Sequence, residues 1–361
     1  MPGVAADVSG AVSLEELQLA TRNHGLPLEA LRLPITPVGL HYLLIHYDIP
    51  LVDASEWRLE VTGKVARPLS LTLAELRARP AREAIVTMEC AGNGRALLSP
   101  RPFSQPWLSE AVGTARWRGT PLRRLLDEAG VGERAVDVVF TGLDGGTEGG
   151  LRQRFERSLP LDEALRDDVL LAYEMNEQPL LPQHGFPLRL VVPGWYGMTN
   201  VKWLARISVV DRPFDGYQQA RSYRLRQSED EDGVPLTRML PRALMVPPGI
   251  PDFPTRARTL ARGPCRLEGR AWSGWGPVEA VEVSTDGGET WGEAVLCADV
   301  PSRWAWCSWA YVWHPPAPGI YELCCRARDA EGSVQPLEPQ WNPGGYANNA
   351  VQRVRVTVTG A

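Results

Sequence analysis

The sequence predicts an α+β domain followed by an all-β domain of immunoglobulin type. Residues 20–212 alternate strand-like and helix-like stretches, residues 213–262 are crowded with proline and arginine, and short alternating strands follow from Cys265 onward. With 361 residues the chain is also long for one hydrophobic core, so about two domains are expected. We place them at residues 1–240 and 241–361.

The first domain mixes strands with short helices. WRLEVTGKV, EAIVTMEC and PLRLVVP have the alternating or continuous apolar residues of strands. LTLAELRARP and PLRRLLDEAGV fit amphipathic helices that end at Pro80 and Gly130. The chain lacks the GxGxxG motif and the regular strand–helix rhythm of a dinucleotide-binding fold.

The second half divides into a connecting segment and a β domain. Residues 213–262 are expected to form a linker or wrapping segment without regular structure, because proline is frequent there. VEAVEVSTDGGETW predicts a hairpin around a DGG turn, and YELCCRARDAEG and VQRVRVTVTG continue the strand pattern. Most of the thirteen tryptophans lie after residue 270. We assign them to core and subunit-interface packing in preference to a sugar-binding platform.

Composition narrows the class of partner and the compartment. The net charge of −5 argues against nucleic acid, although a local basic pocket stays possible. No apolar run approaches the roughly 20 residues of a membrane span. The chain has no Lys or Arg before Arg22, so a secretory signal is not indicated and a cytoplasmic location is expected.

Cysteine usage separates Cys90 from the other five, which all lie in the last hundred residues. No CxxC pair is present, so the zinc-ribbon and thioredoxin interpretations have no support. We expect the five late cysteines to be reduced and buried, with Cys324 and Cys325 on opposite faces of one strand.

Cys90 lies in the stretch TMECAGNGR, between small residues and ahead of Arg95. Four interpretations compete: an inert buried thiol, half of a disulfide, a nucleophile and a metal ligand. Gly92 and Gly94 would let a bulky group approach the backbone, and a neighbouring arginine favours the thiolate that binds metals. The stretch by itself favours the inert thiol.

Basic residues recur in three further stretches. TRNHG places Arg22 two residues from His24, which suits an anion but also an exposed loop. His184, Arg189 and Lys202 lie in a Gly- and Pro-rich region that fits an anion site about as well as an ordinary hairpin. Tyr223 stands among arginines and could orient an oxyanion, although exposed tyrosines are common.

These stretches belong to a longer ordered set of motifs, from about residue 20 to the C-terminus. The set is TRNH (21–24), ECAGNGR (89–95), WLSEAVGTARWRGTPL (107–122), GLDGG (142–146), LLAYEMN (170–176), HGFPLRLVVPG (184–194), NVKWL (200–204) and AWSGWGPVEAVEVSTDGGETW (271–291). Taken together, the motifs resemble the sulfite oxidase family of molybdenum-cofactor oxidoreductases.

The resemblance implies a mixed α/β molybdopterin-binding domain followed by an immunoglobulin-like dimerisation domain, and hence a homodimer. It implies that Cys90 is the protein's thiolate ligand to molybdenum, a soft ligand that suits this metal. The residues implied to hold the pterin are Ala20, Thr21, Arg22, Asn23, His24, Asp144, His184, Arg189, Asn200, Val201 and Lys202. Those implied to form the substrate pocket are Arg22, Arg95, Trp107 and Tyr223.

The activity implied is oxidation of sulfite to sulfate by oxygen-atom transfer at molybdenum. Electrons would pass to an external acceptor, a cytochrome or a similar carrier, because no haem domain is present. Two departures stand out: Gly94 replaces an arginine of the animal enzymes, and Gly344 occupies a C-terminal position where sulfite-oxidising members carry a pocket arginine. The missing arginine keeps reduction of nitrate as an alternative, and a non-catalytic scaffold role is the alternative from a different class.

Overall fold

The computed structural model describes residues 12–228 and 230–360. Its helices are short and connect strands. Capping boxes begin two of them: Ser13 exchanges hydrogen bonds with Glu16, and Thr72 does so with Glu75. Gly130, in the left-handed conformation, ends a third helix as the sequence predicted. The α-helices are α1 (Leu14–Arg22), α2 (Leu73–Arg77), α3 (Leu122–Ala129), α4 (Leu161–Ala164) and α5 (Tyr217–Ala220).

The first domain is built on two main sheets. Its strands are β1 (Arg58–Gly63), β2 (Leu69–Thr72), β3 (Arg82–Glu89), β4 (Val112–Pro121), β5 (Asp137–Glu148), β6 (Leu151–Pro160), β7 (Leu170–Met175), β8 (Gln178–Pro179), β9 (Arg189–Val191), β10 (Leu204–Val210), β11 (Arg224–Leu225) and β12 (Val234–Pro235). One sheet has the order β2-β1-β10-β5-β6, with β1 and β10 parallel. The other runs β3-β4-β7, and both β8 and β9 pair with β7. A mixed α+β domain results, as predicted.

The second domain is a two-sheet β-sandwich. Its strands are β13 (Arg242–Met245), β14 (Ile250–Pro251), β15 (Arg258–Ala261), β16 (Cys265–Trp272), β17 (Val278–Ser284), β18 (Gly292–Glu293), β19 (Val295–Cys297), β20 (Cys307–Trp313), β21 (Gly319–Asp329) and β22 (Gln352–Thr359). The sheets have the orders β13-β16-β20-β19 and β14-β15-β22-β21-β17-β18. Apolar residues from both enclose one core, which confirms the sandwich prediction.

Two expectations for this half of the chain need correction. The segment 213–262 contains regular structure. β13 and β15 both lie inside it, and each is a strand of one of the two sheets of the sandwich. The first of these strands begins two residues after the predicted boundary at residue 240. The late cysteines are free, but they are not all buried, because Cys297 is exposed. Cys324 and Cys325 are both buried, as expected of packing residues.

A buried ion pair joins the two domains directly behind the predicted ligand. Glu89, the last residue of β3, lies 3.0 Å from the Arg242 guanidinium of β13, and both side chains are almost fully buried. The indole nitrogen of Trp272 donates to the same carboxylate at 2.9 Å. Because Cys90 follows Glu89 in the chain, the position of this cysteine depends on how the domains pack.

None of the helices within the described residues is long and apolar enough to cross a bilayer.

Candidate active site

Cys90 lies where β3 ends, at the mouth of a tight turn. Its carbonyl accepts a hydrogen bond from the Asn93 backbone at 2.9 Å, and Gly94 has φ of 87°. A Cβ on Gly92 would lie 2.5 Å from the Arg95 guanidinium, and one on Gly94 would lie 2.9 Å from the Asn348 side chain. The glycines therefore make room for Arg95 and Asn348.

The Cys90 thiol opens into a cavity formed by the first domain. The space between its lining atoms is about 670 Å³, part of which is open solvent at the mouth. Its lining residues are His41, Tyr42, Leu43, Leu44, His46, Met88, Cys90, Asp144, Phe155, His184, Arg189, Gly197, Met198, Asn200, Lys202 and Tyr223. Seven predicted site residues thus come together from separate parts of the chain: Cys90, Asp144, His184, Arg189, Asn200, Lys202 and Tyr223.

One end of the cavity, which we call the polar end, contains Asp144, His184, Arg189 and Lys202. Arg189 donates to the carbonyls of His184 and Asn200 at 3.0 and 3.2 Å, and its Nε is buried without a partner. One carboxylate oxygen of Asp144 is also buried without a hydrogen bond. Lys202 Nζ donates to the Leu44 and Gln183 carbonyls.

Burial dominates the protonation of these groups. It raises the pKa of Asp144 well above the ordinary value, although Lys202 opposes the shift. It lowers the pKa of Lys202, which Arg189 lowers further and Asp144 raises. The pKa of Arg189 falls to about 10 for the same reason, so the guanidinium stays charged at neutral pH. Buried polar groups with incomplete hydrogen bonding that line a cavity are typical of a ligand site.

At the other end, which we call the Cys90 end, Cys90 and Tyr223 line the cavity, whereas the predicted site residues Arg95 and Trp107, together with Tyr346, pack around them without lining it. Trp107 packs against Cys90. Burial raises the pKa of the Cys90 thiol, whereas Arg95, the Gly92 backbone N–H and the Trp107 indole lower it. Arg95 is 4% exposed and donates from Nε to the Gly344 carbonyl and from Nη1 to the Gln105 carbonyl.

The Tyr223 hydroxyl is hydrogen-bonded to Nε2 of His46 at 2.7 Å. Burial lowers the pKa of His46 to about 4, and the positive charges of Lys202 and Arg95 act in the same direction. Burial raises the pKa of Tyr223 well above its ordinary value. The pair is therefore a neutral imidazole and a neutral phenol at physiological pH.

A loop of the second domain closes the Cys90 end. Ala347 donates its backbone N–H to the Ala91 carbonyl at 2.8 Å, and the Asn348 amide donates to the Gly94 carbonyl at 2.8 Å. The Arg95 guanidinium lies 5.2 Å from the centre of the Tyr346 ring. A Cβ on Gly344 would lie 2.4 Å from that ring, so Tyr346 occupies the space that a side chain at position 344 would need.

The structure does not bring the segment 20–24 into the cavity lining. Arg22 is exposed and donates to the Tyr47 carbonyl at 2.6 Å, with Asp48 at 3.5 Å. Asn23 is buried, but its side chain binds the Ile45 backbone and the Gln105 side chain. Ala20, Thr21 and His24 are only partly buried or exposed. The pterin and substrate roles implied for these residues stay predictions, as does that of Val201, which is buried beside the cavity without lining it.

Sequence reasoning missed the neighbouring segment 41–46, which supplies five lining residues. Segment 41–46 pairs with the predicted segment 20–24, because the backbones of His24 and Leu43 exchange hydrogen bonds. The motif HYLLIH, with a histidine at each end of an apolar run, could have indicated that this segment contributes to a site. It is weak evidence by itself, because a buried histidine in an apolar stretch is usually structural. The Nε2 of His41 is buried without a partner.

Comparisons with known proteins agree with this geometry. The family model described as "Oxidoreductase molybdopterin binding domain" matches residues 46–218, and the one described as "Mo-co oxidoreductase dimerisation domain" matches residues 254–359. The chain is 38% identical to the sulfite oxidase of Gallus gallus over 339 residues, covering 88% of this chain and 72% of that protein. This chain belongs to the sulfite oxidase family.

Further relatives show the breadth of the family. The mitochondrial sulfite oxidase of Rattus norvegicus is 37% identical over 90% of this chain, which spans 62% of the rat protein's length. Nitrate reductase [NADH] 1 of Oryza sativa subsp. japonica is 34% identical, again over 90% of this chain but 38% of its own length. The sulfane dehydrogenase SoxCD structure from Paracoccus pantotrophus superposes with a TM-score of 0.81 at 24% identity, covering all of this chain and 96% of that one, and so shares the fold.

The family's cofactor, a molybdopterin carrying molybdenum, fits the cavity. The unpaired Asp144 oxygen can accept from pterin N–H groups, and the unpaired Arg189 Nε and the Lys202 ammonium can bind a phosphate. His41 adds an unpaired nitrogen at the same wall. At the other end, the free Cys90 thiol can provide one soft ligand to the metal.

Proposed function

We propose that this protein oxidises sulfite to sulfate at molybdenum and passes the electrons to an external acceptor. In this reaction sulfite and water give sulfate, two protons and two electrons. The observation that supports the proposal is that Cys90 and the Tyr223–His46 pair line one cavity, with Arg95 and Trp107 packed next to Cys90. When bound, the cofactor supplies oxygen-atom transfer and takes up both electrons.

The residues of the chain bind and orient the substrate. Arg95 is a buried cation next to the Cys90 thiol, and it would attract the anion and hold it in place. Tyr223 would contact a substrate oxygen, while His46 holds its hydroxyl in one direction. Because the pKa of His46 is lowered to about 4, the imidazole stays neutral and would act as a hydrogen-bond partner for Tyr223 without taking up a proton.

Nitrate reduction is the second candidate. The observation that favours it is the absence of a side chain cation at position 344, where Tyr346 fills the space. Because position 344 is a glycine, the chain lacks a positive charge there that sulfite-oxidising relatives are expected to use for binding the substrate. Steady-state turnover of molybdenum-loaded protein with sulfite plus ferricyanide, and with nitrate plus reduced viologen, separates the two. Turnover of nitrate without turnover of sulfite would contradict the proposal.

A non-catalytic scaffold role is a third possibility, and metal analysis tests it. We expect about one molybdenum per chain after expression in a host that makes the cofactor. A chain that stays folded without molybdenum under those conditions would favour the scaffold.

The assembly and location proposed are a cytoplasmic homodimer that donates electrons to a cytochrome or a similar carrier. The family's dimerisation domain, matched over residues 254–359, supports the dimer. Light scattering coupled to gel filtration tests the mass, and cell fractionation of the native host tests the location. A monomer, or a protein found outside the cytoplasm, would contradict the corresponding statement.

A further inference from the structure

Arg157 is a fully buried cation near the Cys90 end that has no assigned role. It lies on β6, two residues after Phe155, which lines the cavity. Successive side chains of a strand alternate between its two faces, so Arg157 points to the same side as Phe155. Its side chain is 0% exposed.

The hydrogen bonds of Arg157 are incomplete. Nη1 donates to the Gln218 carbonyl, whereas Nε and Nη2 are buried without a partner. No carboxylate of the described residues forms an ion pair with it. Burial lowers the pKa of Arg157 to about 10, which leaves it protonated at neutral pH. A buried and uncompensated charge is costly, so its retention calls for a compensating negative charge from outside the chain.

Two tyrosines connect Arg157 to the Cys90 end. The Arg157 Cζ lies 5.5 Å from the centre of the Tyr223 ring, and the Tyr223 and Tyr346 ring centres are 5.3 Å apart. Arg95 lies 5.2 Å from the Tyr346 ring in turn. Arg157 is therefore behind the tyrosine whose hydroxyl points to His46 and the cavity.

Positive charge is scarce at this end of the cavity. Arg95 already donates two of its nitrogens to backbone carbonyls, and position 344 carries no side chain. A doubly charged oxyanion in a buried site needs more compensation than one partly engaged guanidinium provides. At an effective dielectric of about 20, a unit charge several ångströms from a bound anion can still change its binding about tenfold.

We propose that Arg157 is a positioning residue that supplies the second positive charge for oxyanion binding, acting through Tyr223. The ligand class is a small oxyanion of the substrate or product type, such as sulfite or sulfate. The inference rests on the proposed function, since it concerns the same pocket. It assigns to a buried arginine of the first domain the role that a side chain at position 344 cannot perform here.

The test compares Arg157→Met with Arg157→Lys and with the control Arg152→Met, an exposed arginine on the same strand. Molybdenum-loaded protein is assayed for kcat and KM with sulfite, and for inhibition by sulfate. Sulfate binding is also measured by calorimetry without turnover. We expect Arg157→Met to raise the sulfite KM and the sulfate Kd about tenfold, with kcat within about threefold of wild type. Arg157→Lys and Arg152→Met should keep both constants within about threefold.

A purely structural role would lower kcat or the cofactor content and leave KM and the sulfate Kd unchanged, and that result would overturn the proposal. Should Arg157→Met fail to fold or to hold molybdenum, the neutral, polar variant Arg157→Gln takes its place. A tenfold rise of both constants in Arg157→Gln supports the charge role, and constants within about threefold of wild type contradict it. If wild-type protein holding molybdenum turns over no sulfite, the proposed function fails. The sulfate Kd of the same variants then still tests Arg157 alone.

Discussion

The two ends of the cavity are built in different ways. The polar end uses side chains of the first domain alone: Asp144, His184, Arg189 and Lys202. The Cys90 end is closed by the second domain, whose Ala347 and Asn348 bind the turn after Cys90. We therefore expect cofactor affinity to depend on the first domain, and substrate affinity to depend also on the contact between the domains. Substitutions at the polar end should therefore lower cofactor retention, whereas substitutions in the second-domain loop at the Cys90 end should raise the sulfite KM.

Cys90→Ser should have the largest effect. A serine hydroxyl is a hard and poorly ionised ligand in place of a soft thiolate, so the electronic properties of the metal change. We expect sulfite turnover to fall by about a thousandfold or more, which corresponds to about 4 kcal/mol. The fold should be retained, because the replacement is nearly isosteric. Steady-state kinetics and the thermal midpoint check this, and turnover near the wild-type level would remove the ligand assignment.

Arg189→Met should weaken the polar end. This guanidinium is buried, braces the His184 and Asn200 carbonyls and keeps a free Nε. Charge-assisted hydrogen bonds are worth about 1.5–3 kcal/mol, so cofactor retention should fall about tenfold to a hundredfold.

Pterin fluorescence after gel filtration measures that retention. The sulfite KM of molecules that keep molybdenum should be unchanged. Arg206→Met, an exposed arginine on β10, is the control and should retain the cofactor. A raised sulfite KM in Arg189→Met with full cofactor content would contradict the prediction that the polar end governs cofactor binding alone.

Gly345→Ala should damage the Cys90 end through the second domain. Gly345 has φ of 59°, and an added Cβ would lie 2.5 Å from Arg95 Cγ, so the arginine must move. We expect the sulfite KM to rise about tenfold with full cofactor content, equivalent to about 1.4 kcal/mol. Gly332→Ala is the matched control, because φ is 80° there and nothing lies within 4 Å of an added Cβ. It should cost about 1 kcal/mol of stability and leave KM unchanged.

Asp144→Asn should act on the stability of cofactor-free protein, an effect that does not require turnover to measure. The folded-state pKa of Asp144 is raised above its unfolded value, so its contribution to stability is present at low pH and is lost as pH rises. Relative to wild type, the variant should gain about 1–3 kcal/mol between about pH 5 and pH 8, because asparagine does not ionise. Urea unfolding at several pH values measures this. A difference in unfolding free energy between the variant and wild type that stays constant over that pH range would contradict the raised pKa of Asp144.

The sequence was sufficient to predict the architecture, because strand alternation and turn residues act locally. The hairpin around Asp286, the end of α3 at Gly130 and the sandwich all follow from such patterns. The strands inside 213–262 were missed, because their proline-rich setting obscured pairing that depends on distant strands. Local propensity does not reveal such long-range partners.

The site was predictable in part. Cys90, Asp144, His184, Arg189 and Lys202 were found through motif order, and the cavity brings them together. Spacing could not decide which of two paired segments, 20–24 or 41–46, faces the cavity, because both carry a histidine and an apolar neighbour. Arg157 carries no sequence signal at all, since only the fold shows that it is buried without a counterion.

X-ray absorption at the molybdenum edge tests directly whether Cys90 binds the metal. We predict that wild-type protein loaded with the cofactor has one more sulfur neighbour at molybdenum than Cys90→Ser, because the Cys90 thiolate would be a ligand. Both proteins should contain similar amounts of pterin, since the polar end is unchanged. An identical number of sulfur neighbours in the two proteins would contradict the account.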